Sequence, residues 1–145
     1  MTPELRKSLS QVSTASVAGA LLKLGLRNIW IRGAKPTAGA GSCSVGTAFT
    51  MRFIPMREDL VGPALARLAN SRAAIEAMAA GSFAVIDAMG VTDAGVAGDV
   101  LCARMALRGA AGMVTDGAIR DIAGSRSRAC LSGRTARHRP RPAIL

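Results

Sequence analysis

The stretch GDVLCARMALRGAAGMVTDGAIRD, residues 98–121, decides the fold. It begins with an amphipathic segment that predicts a helix and continues as the short apolar run AAGMVTD. An earlier apolar run, SFAVIDAM, is short enough to be a buried strand. Strand, helix and strand at this spacing predict a βαβ unit in a mixed α/β fold, with residues 83–87 and 111–115 as parallel neighbours.

The remaining elements follow from their start and stop signals. Residues 3–11 and 14–25 predict two helices, and NSRAAIEAMAAG predicts a third that ends at Gly81. NIWIRGAKP predicts a short strand that runs into a turn at Pro36, and VGTAFTMRFIP predicts a strand that Pro55 ends.

Composition indicates one domain that packs closely. The chain has 145 residues, half of them apolar, but only three Phe, one Trp and no Tyr. Trp30 and Phe53 are therefore expected to anchor the core. The three cysteines, Cys43, Cys102 and Cys130, have no CxxC spacing and are expected to be buried or unreactive thiols. No apolar run is long enough for a membrane span, which favours a cytoplasmic protein.

The net charge of +10 is unevenly distributed. Residues 1–122 carry 13 basic and 9 acidic groups, whereas six arginines lie in the last twenty residues. The excess belongs to the segment 123–145, so the charge does not favour nucleic acid as a partner of the domain. This segment is either a disordered basic extension or the product of a shifted reading frame. GVTDAGVAG, residues 90–98, predicts a loop, and the glycine-rich MGVTDAGVAGD around it lacks the spacing of a nucleotide-binding fingerprint.

Spacing predicts that three charged residues meet at one rim of the sheet. Asp99 starts the helix that follows one strand, and Arg120 and Asp121 come just after the next parallel strand. Ligands of open α/β sheets bind beyond the carboxyl ends of the strands. A single βαβ crossover therefore returns all three residues to the same edge.

Their chemistry fits a chelating acid. Backbone amides of Val100 and Leu101, at a helix start, attract a carboxylate, and Arg120 offers a forked cation to the same group. Asp121 is suited to a hard divalent cation, and Asp99 to a metal-bound water. A 2-oxo acid chelates such a metal, which stabilises an enolate.

Simpler interpretations remain open from the residues alone. Asp99 is also a good helix N-cap, and Arg120 with Asp121 is equally compatible with a solvated surface pair. A further group is expected to be a solvated charge cluster: Arg52, Arg57, Glu58 and Asp59.

The pattern Asp, twenty residues, Arg-Asp, within its Gly/Ala framework and VTDG, resembles the signature of the RraA-like family. This family includes class II 4-hydroxy-4-methyl-2-oxoglutarate/4-carboxy-4-hydroxy-2-oxoadipate aldolases and bacterial regulators of ribonuclease activity. The resemblance also covers STASVAGALLKLGLRN, VGTAFTMRFIPMREDL and FAVIDA.

The resemblance implies a swivelling β/β/α fold in a trimer or a pair of trimers, with sites between subunits. It implies Mg²⁺- or Mn²⁺-dependent retro-aldol cleavage that releases pyruvate, with oxaloacetate decarboxylation as a side activity. By position, Asp121 would bind the metal, Arg120 the pyruvyl end of the substrate and Asp99 a metal-bound water. The substrate carboxylate would lie at Gly98, Val100 and Leu101.

Two departures from the family pattern stand out. Glu58-Asp59 replaces an Asp-Asn pair, and the resemblance stops near Ile122, so that the C-terminal part of the domain is expected to be missing. The loss of resemblance near Ile122 favours the interpretation that residues 123–145 come from a shifted reading frame. The functions to be weighed are a metal-dependent aldolase, a non-catalytic regulator that binds a ribonuclease or helicase, and an inactive fragment.

Overall fold

The computed structural model describes residues 1–36, 43–66, 70–121 and 131–133, so most of the segment 123–145 lies outside the described residues. The chain is mixed α/β, as predicted. The helices are α1 Pro3–Ser10, α2 Thr14–Lys23, α3 Glu58–Ala66, α4 Ser71–Ala77 and α5 Asp99–Leu107. The strands are β1 Ala34–Pro36, β2 Thr47–Arg52, β3 Ser82–Asp87, β4 Gly95–Ala97, β5 Gly112–Thr115, β6 Ala118–Ile119 and β7 Leu131–Gly133.

The predicted βαβ unit is confirmed. Strands β2, β3 and β5 form a parallel sheet in that order, with β3 in the centre. Phe83 pairs with Gly112 and Ile86 with Thr115, and α5 lies in the crossover between the two strands. The carboxyl ends of β3 and β5 therefore lie at the same edge of this sheet.

A second parallel pair corrects the expected position of Asp99. Residues 95–97 were predicted as loop, but they form β4, which pairs in parallel with β6. Asp99 therefore follows β4 and not β3, and the relevant rim belongs to the small β4–β6 sheet. A three-residue Gly-Val-Ala strand is too short to show a period in the sequence.

Two other expectations about local structure are wrong, and one helix was not predicted. The strand expected over NIWIRGAKP contains only Ala34–Pro36, and Pro36 lies in the strand and not in a turn. This strand pairs with β7, outside the two parallel sheets, where a residue without an N–H is tolerated. The solvated charge cluster is confirmed, since all four of its residues are exposed and Arg57 pairs with Asp59, but α3, whose first turn contains Glu58 and Asp59, was not predicted. Helix α4 ends at Ala77 and not at Gly81, because Met78 is already extended.

The core is built from small and sulfur-containing side chains. It joins α4, β3, β4, α5, β5 and β6, and its largest fully buried members are Met78, Met105, Met113 and Cys102. Phe53 packs against this cluster as predicted, but Trp30 is 59% exposed and does not anchor it. Within the described part of the chain, no helix is both long enough and apolar enough to cross a bilayer.

One glutamate connects helices α4 and α5. Glu76 on α4 accepts hydrogen bonds from Arg104 Nε at 2.6 Å and from Arg104 Nη2 at 2.8 Å. Arg108, just past α5, donates to the carbonyl oxygens of Glu76 at 2.6 Å and Met78 at 3.0 Å. The position of α5 against α4 is thus held by side-chain contacts as well as by the apolar core.

Two carboxylates make the stability of this fold depend on pH. The hydrogen bond from Arg104 lowers the pKa of Glu76 below its ordinary 4.5. The hydrogen bond from the Met89 amide lowers the pKa of Asp87 below its ordinary 3.8, and the hydrogen bond from Arg52 lowers it further. Each group therefore contributes stability that is complete above its unfolded-state pKa and is lost as the pH falls through its folded-state pKa. We expect Tm, followed by circular dichroism, to be level from about pH 7 to about pH 5 and to fall below about pH 4.

Glu76→Gln tests this assignment, with Glu4→Gln on the exposed surface of α1 as the matched control. Glu76→Gln is expected to lower Tm at neutral pH and to make the fall of Tm with pH in acid less steep. Glu4→Gln is expected to leave both the neutral Tm and this fall unchanged. If Tm falls in acid as steeply in Glu76→Gln as in wild type, the Glu76 carboxylate does not contribute to the pH dependence of stability.

Candidate functional site

The site is assembled by one backbone hydrogen bond between the two short strands. The N–H of Arg120 donates to the carbonyl oxygen of Ala97 at 2.9 Å. Because β4 leads into α5 and β6 leads into Arg120, this bond places the residues after both strands beside each other. The predicted meeting of Arg120 and Asp121 with the start of α5 is therefore present, at the β4–β6 rim.

The Arg120 side chain lies across Gly95. A methyl group added at Gly95 would lie 2.7 Å from Cδ and 3.1 Å from Nε of Arg120, which is too close for real atoms. Glycine at this position leaves the space that the arginine stem occupies. Gly95 was not predicted as a site residue, and the glycine-rich loop was the only signal in the sequence.

Asp121 turns its carboxylate toward the start of α5. Its backbone has φ 57, a left-handed conformation that is uncommon for residues other than glycine. A methyl group added at Gly98 would lie 3.3 Å from Asp121 Oδ2. Arg120 and Asp121 therefore diverge, the first over Gly95 and the second toward Gly98, and both border the α5 N-terminus.

Asp99 is the first residue of α5, and the N-cap is Gly98, so the N-cap interpretation of Asp99 is wrong. Asp99 Oδ1 accepts a hydrogen bond from the Val100 amide at 2.7 Å. One of the two amides expected to receive a substrate carboxylate thus already has an internal acceptor. A carboxylate bound at the Val100 amide therefore requires the Asp99 side chain to rotate away.

The carboxylates at the rim suit a hard divalent ion that keeps some of its waters, and not a structural metal site closed by protein ligands. In the described ranges, no three carboxylate, imidazole or thiol side chains come together as a metal-binding group. Mg²⁺ is typically held by one or two carboxylates, with waters and substrate oxygens completing its octahedron. Asp121, whose Oδ2 turns toward Gly98, is a carboxylate of this kind, whereas a structural zinc site needs four protein ligands.

A pair of carboxylates that the sequence analysis missed supports the edge of the site. Asp116 Oδ1 accepts from the Ala88 amide at 2.6 Å, and Asp116 Oδ2 accepts from the Gly90 amide at 2.7 Å. Asp87 Oδ1 accepts from the amide between them, that of Met89, at 2.8 Å. The segment 88–90, which we call the carboxylate-bound turn, leads toward β4. The only sequence signal for this turn was the VTDG motif, which contains Asp116 but does not indicate which amides its carboxylate binds.

A cavity of about 590 Å³ between described residues lies away from this rim. It is bordered by α1 residues Arg6, Lys7 and Ser10 and by Val45 and Ala111, near the amino ends of β2 and β5. No carboxylate occurs in its described lining, so it does not suit divalent-metal chemistry. The candidate site is an open rim, and Val100 beside it is 74% exposed.

Comparison with known families identifies this architecture. The RraA-like family, described as Aldolase/RraA, matches residues 14–132, and the chain belongs to this family. The match continues past Ile122, the residue at which the sequence resemblance was judged to stop. The swivelling β/β/α fold class that the resemblance implied is confirmed.

Solved structures agree on the fold. Streptomyces coelicolor RraAS2, described as an unusual member of the RNase ES inhibitor RraA protein family, is 31% identical, with a TM-score of 0.75 over 98% of this chain and 68% of that chain. The RNA-processing inhibitor RraA from Thermus thermophilis is 21% identical, with a TM-score of 0.59 over 83% of this chain and 66% of that one.

A Geobacillus kaustophilus protein described as an S-adenosylmethionine: 2-dimethylmenaquinone methyltransferase is 20% identical, with a TM-score of 0.54 over 83% of this chain and 69% of that chain. At this identity the likeness shows the fold alone. The chain thus spans about two thirds of the length of these three structures. A comparison with curated proteins gave no match.

Proposed function

We propose that the chain is a divalent-metal-dependent lyase of 2-oxo acids. Its reactions would be retro-aldol cleavage of 4-hydroxy-2-oxo acids, releasing pyruvate, and decarboxylation of oxaloacetate. The observation that supports this proposal is the position of Arg120 and Asp121 beside the start of α5, where the Arg120 stem lies over Gly95 and Asp121 Oδ2 turns toward Gly98. Membership of a family described as Aldolase/RraA is consistent with it.

Charge at the rim favours a bound cation. The rim carries two carboxylates, Asp99 and Asp121, and one guanidinium, that of Arg120, so its net charge is negative and repels a keto-acid dianion. A divalent ion held by Asp121 reverses this sign, and when bound it supplies Lewis-acid polarisation of the 2-oxo group. The charges of this chain's own residues thus support the proposed metal requirement.

Each residue then has a defined task. Arg120 binds a substrate oxygen with two parallel N–H groups and stabilises the negative charge that develops on the enolate. The first-turn amides of α5, including that of Val100, orient the substrate carboxylate once Asp99 has rotated away. Asp99 then orients a water that takes the proton of the substrate's 4-hydroxyl as the C3–C4 bond breaks and passes a proton on to the Asp99 carboxylate. That proton is afterwards returned through the water to C3 of the pyruvate enolate, which completes the cleavage.

The rim is open, so exclusion of water requires a cover. Val100 is 74% exposed and Met89 is 51% exposed at its border. A neighbouring subunit of a homotrimer or hexamer would bury these side chains and enclose the site. This arrangement forms part of the proposal.

Pyruvate formation by the full chain tests the proposal. The chain is incubated with oxaloacetate and Mg²⁺ or Mn²⁺, and pyruvate is measured with lactate dehydrogenase and NADH. Because divalent ions decarboxylate oxaloacetate without protein, a metal-only sample is subtracted, and a chelator sample gives the metal-independent rate. Turnover that depends on both protein and metal is expected. A rate equal to that of metal alone, for oxaloacetate and for 4-hydroxy-2-oxo acids, would refute it.

A second candidate function is inhibition of a ribonuclease. It is favoured by the described role of the Streptomyces relative, which is 31% identical. Inhibition would act through the protein surface and would not require Asp121. If Asp121→Ala slows an RNase E-type enzyme as well as the wild-type chain does, and neither turns over a 2-oxo acid, the regulator is the correct function.

A further inference from the structure

We propose that Asp116 is a positioning residue that seats the β4–β6 sheet, and with it the candidate site, on the end of the central parallel sheet. The proposal rests on the proposed function for its catalytic meaning only. Its structural content is a chain of contacts from the carboxylate-bound turn to Arg120. Asp116 itself lies between β5 and β6, outside the set of residues that border the rim.

The first contact is between Asp116 and the turn after β3. Both carboxylate oxygens of Asp116 receive backbone N–H groups, those of Ala88 and Gly90. Met89 and Gly90 have φ 54 and 70, so the turn contains two consecutive left-handed residues and needs external support. Hydrogen bonds to a carboxylate are among the strong ones. With Asp87 on the Met89 amide, all three turn amides are occupied, so the turn is not a vacant anion site.

The second contact carries this restraint to β4. A methyl group added at Gly117 would lie 2.6 Å from Cβ of Ala88 and 2.8 Å from Cγ1 of Val96. The residue after Asp116 is therefore wedged between the turn and β4. Ala88 and Val96 are both buried in the core, so this contact has little room to adjust.

The third contact reaches the site. Immediately after Gly117, β6 begins at Ala118 and pairs with β4. The ladder ends in the hydrogen bond from Arg120 to Ala97, beyond which lie the Arg120 and Asp121 side chains. Loss of one Asp116 acceptor therefore loosens first the carboxylate-bound turn, then the packing of Gly117 against β4, and finally the hydrogen bond from Arg120 to Ala97.

Asp116→Asn is the test variant, because Asn keeps one acceptor oxygen and replaces the other by a group that cannot accept. Glu76→Gln is the control, since it removes a charge-assisted contact at the α4–α5 pair and leaves the turn intact. Both are compared with wild type by amide hydrogen exchange, using NMR on the full chain, at temperatures equally far below each Tm. We expect exchange of the Gly90 and Arg120 amides to accelerate by at least about tenfold in Asp116→Asn only.

Exchange at Arg120 decides the structural claim without any substrate. If it is as slow in Asp116→Asn as in Glu76→Gln, Asp116 does not position the site, whatever the activity. Kinetics supply the second readout: Asp116→Asn is expected to lower kcat for oxaloacetate more than Glu76→Gln does at matched stability. Equal effects of the two variants would overturn the positioning role. If the wild type shows no turnover, the proposed function fails, and the exchange result still decides this inference.

Discussion

Arg120→Ala is expected to lower kcat/KM for oxaloacetate decarboxylation by roughly 10²–10³-fold, the usual loss when one donor to a developing oxyanion is removed. Arg120 is exposed, so its removal leaves the core unchanged and Tm should stay within a degree or two of wild type. The loss should appear mainly in kcat, because the guanidinium meets the greatest negative charge in the transition state. The measurement is the metal-dependent rate after subtraction of the metal-only rate.

Arg120→Lys and Arg27→Ala complete the test. Lysine keeps the charge but not the planar fork, so it should recover only a small part of the lost rate. Arg27 is an exposed arginine remote in sequence from the rim, and its replacement should leave the rate unchanged. Wild-type turnover in Arg120→Ala would remove the guanidinium from the mechanism and leave the proposed lyase without its substrate anchor.

Gly95→Ala is expected to reduce the same rate by about 10²-fold, although residue 95 would not contact the substrate. The added methyl group would occupy the position now held by the Arg120 stem, 2.7 Å from Cδ, and would push the guanidinium away from the rim. Displacement of a positioned group by about 1 Å can have an effect of this size. Because the obstacle is a long and flexible side chain on the surface, the fold should accommodate the change with a small loss of Tm.

Gly19→Ala is the matched control for this change. Gly19 lies in α2, where an added methyl group meets no atom within 4 Å. It should leave the rate unchanged and raise Tm slightly, since alanine favours a helix by up to about 1 kcal/mol over glycine. If Gly95→Ala keeps the full rate while its Tm equals that of wild type, the placement of Arg120 over Gly95 is not required for activity.

The sequence predicted those parts of the fold whose patterns are longer than one turn or strand. The parallel pairing of β3 with β5 followed from two apolar runs on either side of an amphipathic segment, and the first residues of α1 and α2 were predicted correctly at positions 3 and 14. Helix α3 was missed because Gly62 and Pro63 interrupt its apolar pattern. Strand β4 was missed because its three residues lie within a glycine-rich segment.

The sequence identified candidate residues of the site but not the contacts that position them. Asp99, Arg120 and Asp121 were identified from their spacing, whereas the space over Gly95 and the support from Asp116 depend on contacts between segments distant in sequence. A local pattern gives no distance between such segments. The occupied amide of Val100 could not be foreseen either, because it depends on the side-chain rotamer of Asp99.

The outward position of Trp30 has a practical consequence. The chain has one Trp and no Tyr, so its near-ultraviolet emission comes almost entirely from this indole. With 59% of its surface in contact with water in the isolated chain, the indole should emit at long wavelength before denaturation as well as after it. Fluorescence is therefore a poor probe of unfolding for this protein. A blue shift on raising the concentration would instead report that another molecule covers the indole.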